Sequence, residues 1–252
     1  MIKTEIEIET LREGGKILAA VLKLLAQRAA PGVSTWELEE LAREEIKKAG
    51  AEPAFLGYSP EKSLPPYPAA ICASVNEEVV HSIPEKKKML WEGDVVSLDL
   101  GIKYHDLYTD AAVSVPVGKV SADAERLIAA AKEALAAGIE KVKAGNTIGD
   151  IAAAVGAVGK REGLGVIRDL VGHGVGHAIH EAPAVPNYGR AGTLEKLETG
   201  MVLAIEPMFT LGDWRIQFFE GSWTVKTADG SLAAHFEHTV AVTEKGCIIL
   251  TE

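Results

Sequence analysis

Apolar positions in residues 9–29 recur at helical spacing, with Ile17, Leu18, Val21, Leu22 and Leu25 on one face. A second helix is predicted in PGVSTWELEELAREEIKKAG. There Ser34 and Glu37 form a capping box, and Leu38, Leu41, Ile46 and Ala49 continue a helical stripe. The Pro-rich stretch YSPEKSLPPYP breaks this pattern, and the period then shortens. AAICASV, VVSLDLG and AAVSVPVG read as strands. VVSLDLG is anomalous, because Asp99 stands between Leu98 and Leu100 in an apolar run. A buried carboxylate is costly unless it is paired, hydrogen-bonded or bound to a metal.

The second half of the chain resembles a replay of the first. Residues 121–143 predict an Ala-rich helix with Leu127, Ile128, Ala131, Leu135 and Ile139 inward. AGNTIGDIAAAVGAVGKREG then matches the earlier capped helix, with Gly145 for Gly32, Thr147 for Ser34, Asp150 for Glu37 and Ile151 for Leu38. EGDVVSLDLG resembles TGMVLAIEPM, which sets Glu206 against Asp99. TDAAVSV resembles FEHTVAV, which sets Glu237 against Asp110. Both strand pairs carry a carboxylate at the matching place.

If the halves are related by a pseudo-twofold axis, these four carboxylates converge. Four like charges in a semi-buried site repel and force protonation, and two divalent cations resolve the conflict. Between Asp110 and Glu206 lies LVGHGVGHAIHEAP, with His173, His177 and His180. The spacing of His173 and His177 matches a zincin helix, but no HExxH pattern is present, and Gly172, Gly174 and Gly176 disfavour a helix. An extended Gly-rich segment instead lets backbone approach a ligand closely. One imidazole beside four carboxylates is a dinuclear ligand set compatible with Mn²⁺, Fe²⁺, Co²⁺ or Zn²⁺. A hydrogen-bonded core role is the plain alternative for His177. His81, in NEEVVHSIP, is a weak signal by itself, and Cys72 has no local partner that would make it a nucleophile.

Bulk properties narrow the classes. The 252 residues are 47% hydrophobic and 25% charged, an ordinary globular composition. No apolar run reaches the length of a membrane span, and the N-terminus lacks the apolar core of a secretory signal. A net charge of −10 argues against nucleic acid as substrate, and the basic cluster Lys86–Lys88 reads as a solvated turn before it reads as a binding patch. Two cysteines, Cys72 and Cys247, predict reduced thiols in a cytoplasmic protein.

The stretches SVNEEVVHSIP, DVVSLDLG, YTDAAVSV, GHGVGHAIHEAPAVPNYG, MVLAIEPM and SLAAHFEHTVAVTEKG, in this order and spacing, resemble the type I methionine aminopeptidases over nearly the whole chain. The resemblance implies the α+β pita-bread fold. In that fold one catalytic domain, 1–252, holds two pseudo-twofold-related αβ halves (about 1–118 and 119–252) around a central antiparallel sheet. It implies that Asp99, Asp110, His173, Glu206 and Glu237 bind two divalent metal ions, with Asp110 and Glu237 bridging them. It assigns His81 and His180 to the scissile peptide and its tetrahedral intermediate, and Glu206 to accepting a proton from water. Tyr58, Tyr67, Cys72 and Trp223 fall in the pocket for the methionine side chain. The activity implied is removal of N-terminal methionine from peptides and nascent chains with a small second residue, by a monomer that acts at the ribosome.

The chain departs from the family in four places. The link between LGY and YP is usually very short and is here SPEKSLPP; His177 stands where arginine is common; Ser82 replaces a glycine beside His81; and Ile179 replaces a bulkier residue. No departure falls on a ligand position. Two other readings share the fold. A prolidase or X-Pro aminopeptidase usually carries an extra N-terminal domain, for which 252 residues leave no room. A non-catalytic binding module typically loses metal ligands, and here all five are present.

Overall fold

The computed structural model describes residues 2–60 and 64–252. Helix α1 spans Glu5–Arg28, one turn earlier than the apolar stripe predicts. A second capping box is the reason: Thr4 accepts from the Glu7 N–H, and the Glu7 carboxylate accepts from the Thr4 N–H at 2.8 Å. Helix α2, Thr35–Lys48, starts on the Ser34–Glu37 box as expected. Helix α3 covers Ala122–Ile139, and the expected last turn to residue 143 is instead a bend that buries Val142. Helix α4, Ile148–Glu162, opens on Thr147–Asp150 and closes on Gly163, whose φ of +66° suits a residue without Cβ.

Among the described residues nine strands build one antiparallel sheet, and six more form two three-stranded sheets. The main path of the larger sheet runs Glu52–Pro53, Val95–Tyr104, Leu107–Pro116, Glu237–Val242, Val202–Ile205, Val171–Gly174 and Glu181–Pro186. Ile71–Val75 also pairs with the Asp99 strand, and Cys247–Ile249 with the Glu237 strand. The Asp99 and Asp110 strands form a hairpin longer than the apolar runs suggest. They meet at His105–Asp106, both at positive φ, as a two-residue turn matched to strand twist requires.

Strand alternation sorts the anomalous strand into two faces. Leu98, Leu100 and Ile102 are fully buried under α1 and α2, with Leu18, Leu25, Leu38 and Ile46. Helices α3 and α4 cover the other end, where Leu127, Ala131, Ile148 and Ile151 pack on Leu203, Ile205, Val240 and Val242. Asp99 points to the opposite face. Each buried leucine of this kind contributes about 1.5–3 kcal/mol, so the sheet is a stiff platform on which polar groups can be held at cost.

Lys88 is paired with Glu78 at 2.6 Å, and the Lys86 ammonium lies 5.5 Å from the Trp36 ring, so two lysines of the basic turn have local partners. Cys72 and Cys247 are free thiols. Among the described residues no helix is long and apolar enough to cross a membrane.

Candidate active site

Register alone gathers the acids. Asp99 lies opposite Ala112 and, on its other side, opposite Cys72. Glu237 faces Ala112 from the third strand. Cys72, Asp99, Ala112 and Glu237 therefore form one row on one face, with a small residue in the middle that leaves room above it. Asp110 is two residues from Ala112 and shares that face. In the next row His173 lies opposite Ala204, and Ala204 opposite Thr239. Thr239 ties the rows together, since its hydroxyl donates to the Asp110 carbonyl at 2.7 Å and accepts the Asp110 N–H at 2.9 Å.

Glu206 sits just beyond its strand, which ends at Ile205 because Pro207 cannot continue the ladder. Glycines allow the His173 strand to lie this close: a Cβ on Gly172 would come within 2.4 Å of the Ala204 carbonyl oxygen. His173 Nδ1 is hydrogen-bonded to the Gly174 carbonyl at 2.9 Å, which leaves Nε2 facing Glu206 at 3.7 Å and Asp110 at 3.9 Å.

Donor atoms of Asp99, Asp110 and Glu237 all lie within 4.8 Å of one another, as do those of His173, Glu206 and Glu237 and those of Asp110, His173 and His180. Asp99 Oδ1, Asp110 Oδ1 and Glu237 Oε1 are buried and accept no hydrogen bond. Burial first, then neighbouring carboxylates, drive the pKa values of these three well above the usual range. Burial also pushes Glu206 upward, but His235 and the His173 and His81 rings outweigh it and hold the value low. His235 Nε2 stands 3.2 Å from Glu206 Oε2, at ion-pair distance but off the line of a hydrogen bond. The cluster thus holds more buried oxygen acceptors than the protein supplies with donors, the situation a divalent cation relieves.

The acids form the floor of a cavity of about 180 Å³. All eleven residues singled out in the sequence line it: Tyr58, Tyr67, Cys72, His81, Asp99, Asp110, His173, His180, Glu206, Trp223 and Glu237. Its apolar end is made by Tyr67, Cys72, Trp223, Phe55 and Ile179. Trp223 stands edge-on to Tyr67 at 5.3 Å and donates its indole N–H to the Pro65 carbonyl at 2.9 Å. Gly101 sits against this end, where a Cβ would come within 2.9 Å of Phe55 and Ile179.

The long link does not spread the pocket. Gly57 N–H donates to the Tyr67 carbonyl and Tyr67 N–H to the Tyr58 carbonyl, both at 2.8 Å, so the loop is closed at its base. Residues 61–63 of SPEKSLPP lie outside the described residues.

His81 follows a short strand with φ +61°, a left-handed conformation that costs about 1–3 kcal/mol for a residue with a side chain. Burial holds its pKa at about 4, and burial beside the His173 ring does the same for His180, so both rings are neutral near pH 7. His177 is turned out of the site and bonds Glu7 on α1 at 2.6 Å, so it is neither a ligand nor a core histidine. Glu181 braces the same turn: its carboxylate accepts from the His177 and Ala178 N–H groups and pairs with buried Lys3 at 2.7 Å.

Phe55, Thr239 and His235 escaped the sequence reading. Phe55 and Thr239 carry no signal in the sequence. His235 lies two residues before Glu237, so a second ionisable group near a matched acid was the available clue.

A family profile, "Metallopeptidase family M24", matches residues 9–244. The methionine aminopeptidase of Aquifex aeolicus is 49% identical over 98% of this chain and 96% of its own length. Methionine aminopeptidase 1 of Bacillus subtilis is 41% identical over 99% of this chain and 98% of its own. The crystal structure of the Thermotoga maritima methionine aminopeptidase superposes with a TM-score of 0.96 at 45% identity, covering 100% of this chain and 99% of that one. A Bacillus anthracis Xaa-Pro dipeptidase reaches 0.76 at 25% identity, and this chain spans 62% of it. Profile, relatives and pita-bread architecture agree, and the chain belongs to metallopeptidase family M24.

Proposed function

We propose that the protein is a methionine aminopeptidase that removes N-terminal methionine from peptides and nascent chains whose second residue is small. One observation carries this reading: the acidic cluster, with buried oxygens that lack partners, and the apolar pocket share one cavity. Asp99, Asp110, His173, Glu206 and Glu237 would hold two divalent cations. Mn²⁺, Fe²⁺, Co²⁺ and Zn²⁺ all fit one imidazole and four carboxylates. When bound, the cations supply Lewis acidity and bring the pKa of water toward neutrality.

The chain's own groups account for the rest. The acidic floor attracts the free α-ammonium of a peptide, which favours exopeptidase action. Tyr67, Cys72, Trp223 and Tyr58 offer aromatic and thiol surface to a thioether. Glu206, kept ionised, accepts a proton from water. His180, neutral, donates a hydrogen bond to the oxyanion, and His81 assists the leaving nitrogen. We also read the chain as one catalytic domain of two related halves, 1–118 and 119–252, supported by the matched capping boxes of α2 and α4. A monomer in the cytoplasm, with its two free thiols, fits that substrate.

Purified protein with Mn²⁺ or Co²⁺ should cleave Met-Gly-Met-Met, chelator should abolish cleavage, and Ala-Pro peptides should remain intact. An intact methionine peptide, or preferred cleavage of Ala-Pro, overturns the reading.

A further inference from the structure

Two tyrosines face each other across the closed loop base, yet their hydroxyls do different things. Tyr67 Oη donates to the Ile71 carbonyl at 3.0 Å and is committed to holding backbone. Tyr58 Oη instead lies 2.7 Å from Nδ1 of His180, with the rings 5.0 Å apart. No other protein hydrogen bond engages the Tyr58 hydroxyl among the described residues, so His180 Nδ1 is the one protein group placed to accept its proton. With Nδ1 taken, Nε2 is the nitrogen that His180 presents to the site. A ring nitrogen of His180, a nitrogen of His173 and an oxygen of Asp110 lie within 4.8 Å of one another.

We propose that Tyr58 is a positioning residue that donates its hydroxyl proton to His180 Nδ1 and so keeps the imidazole proton on Nε2, as a hydrogen-bond donor aimed into the cleft. A neutral imidazole has one donor and one acceptor nitrogen, and the bond made at one sets the role of the other. The reverse arrangement would turn a lone pair of the ring, rather than a proton, toward the Asp110 carboxylate. Burial raises the Tyr58 pKa, which keeps the phenol protonated and able to donate. The assignment also removes His180 from the candidate ligand groups, because a nitrogen that carries a proton cannot bind a metal. Tyr58 is a wall of the side-chain pocket as well, so one residue joins substrate recognition to the state of the catalytic ring. This last step rests on the aminopeptidase reading.

The test is the ¹⁵N spectrum of the histidine rings in the full-length chain, in chelator and again with diamagnetic Zn²⁺, with His180 assigned by its loss in His180→Asn. Nε2 should be pyrrole-like and Nδ1 pyridine-like in both states, and Tyr58→Phe should give a mixture of tautomers. Protonated Nδ1 in the unmutated chain, loss of the Nε2 proton on adding Zn²⁺, or an unchanged tautomer in Tyr58→Phe overturns the proposal. Tyr58→Phe keeps the pocket wall, so kcat on Met-Gly-Met-Met should fall about fivefold to tenfold, the worth of one net hydrogen bond, with KM little changed. A raised KM at unchanged kcat would make Tyr58 a wall only. If the unmutated chain fails to cleave the peptide while the tautomer is as stated, the functional reading fails and the tautomer assignment stands.

Discussion

Replacing Asp99 by asparagine should stabilise the protein in chelator and destroy its activity with metal. Asp99, Asp110 and Glu237 present oxygens within 4.8 Å of one another, with one oxygen of each buried and unpartnered. At that distance two ionised carboxylates repel by roughly 3–4 kcal/mol at an effective dielectric of about 20. The cluster escapes by holding protons, which belong to the group rather than to one residue. A carboxyl with an unfolded pKa near 4 that keeps its proton at pH 8 costs at most about 5.5 kcal/mol. The Asp99→Asn change removes one carboxyl that must either ionise or keep a proton, and adds an N–H donor toward the remaining acids, so the gain at pH 8 is about 2–5 kcal/mol.

The sign in pH follows from proton counts. Carboxyls with folded pKa values raised above their unfolded values bind more protons folded than unfolded across that window, so stability falls as pH rises from about 4 toward the raised values. His81 and His180, lowered to about 4, act oppositely between about 4 and 6.5, but they do so in both proteins and cancel in the difference to first order. The advantage of Asp99→Asn should therefore be absent below pH 4 and grow by at most about 1.4 kcal/mol per pH unit above it. Urea unfolding in EDTA at several pH values measures it. With metal at about a hundred times Kd, the unmutated protein gains about 2.7 kcal/mol and the variant less, so the gap narrows or reverses. A variant less stable than its parent in EDTA at pH 8 would refute the claim that Asp99 is an uncompensated buried carboxyl.

Two more perturbations test groups that support the site. Glu39 is fully buried, accepts the Ala70 and Ile71 N–H groups at 2.8–3.0 Å and bonds Arg43, thereby anchoring the strand that carries Cys72. Glu39→Ala should cost about 2–5 kcal/mol in urea unfolding and Glu39→Gln clearly less, since the amide keeps an acceptor oxygen; equal losses would point to packing instead. Lys3→Met should loosen the turn that Glu181 braces, costing about 1–3 kcal/mol of stability and speeding amide exchange at His177 and Ala178. Unchanged exchange there would show that Lys3 does not hold the turn.

The sequence by itself indicated the four helices and five of the strands, because a 3.6-residue stripe, a capping box and a period-2 run are local patterns, while the shorter strands carry too few residues for a period to show. It also singled out four acids, through their matched places in two similar strand pairs, while the roles of His81, His180 and the pocket residues came from resemblance to a family. Tertiary structure decided how they meet. Strand register places Asp99, Ala112 and Glu237 in one row, and a one-residue slip of any strand would turn its acid toward the helices. It also decided the partners of buried polar groups: Tyr58 with His180, Glu39 with Ala70, and Lys3 with Glu181 are 122, 31 and 178 residues apart. No periodicity encodes such pairs. Each forms because a polar group taken from water must find a partner among whatever groups the folded chain brings to it.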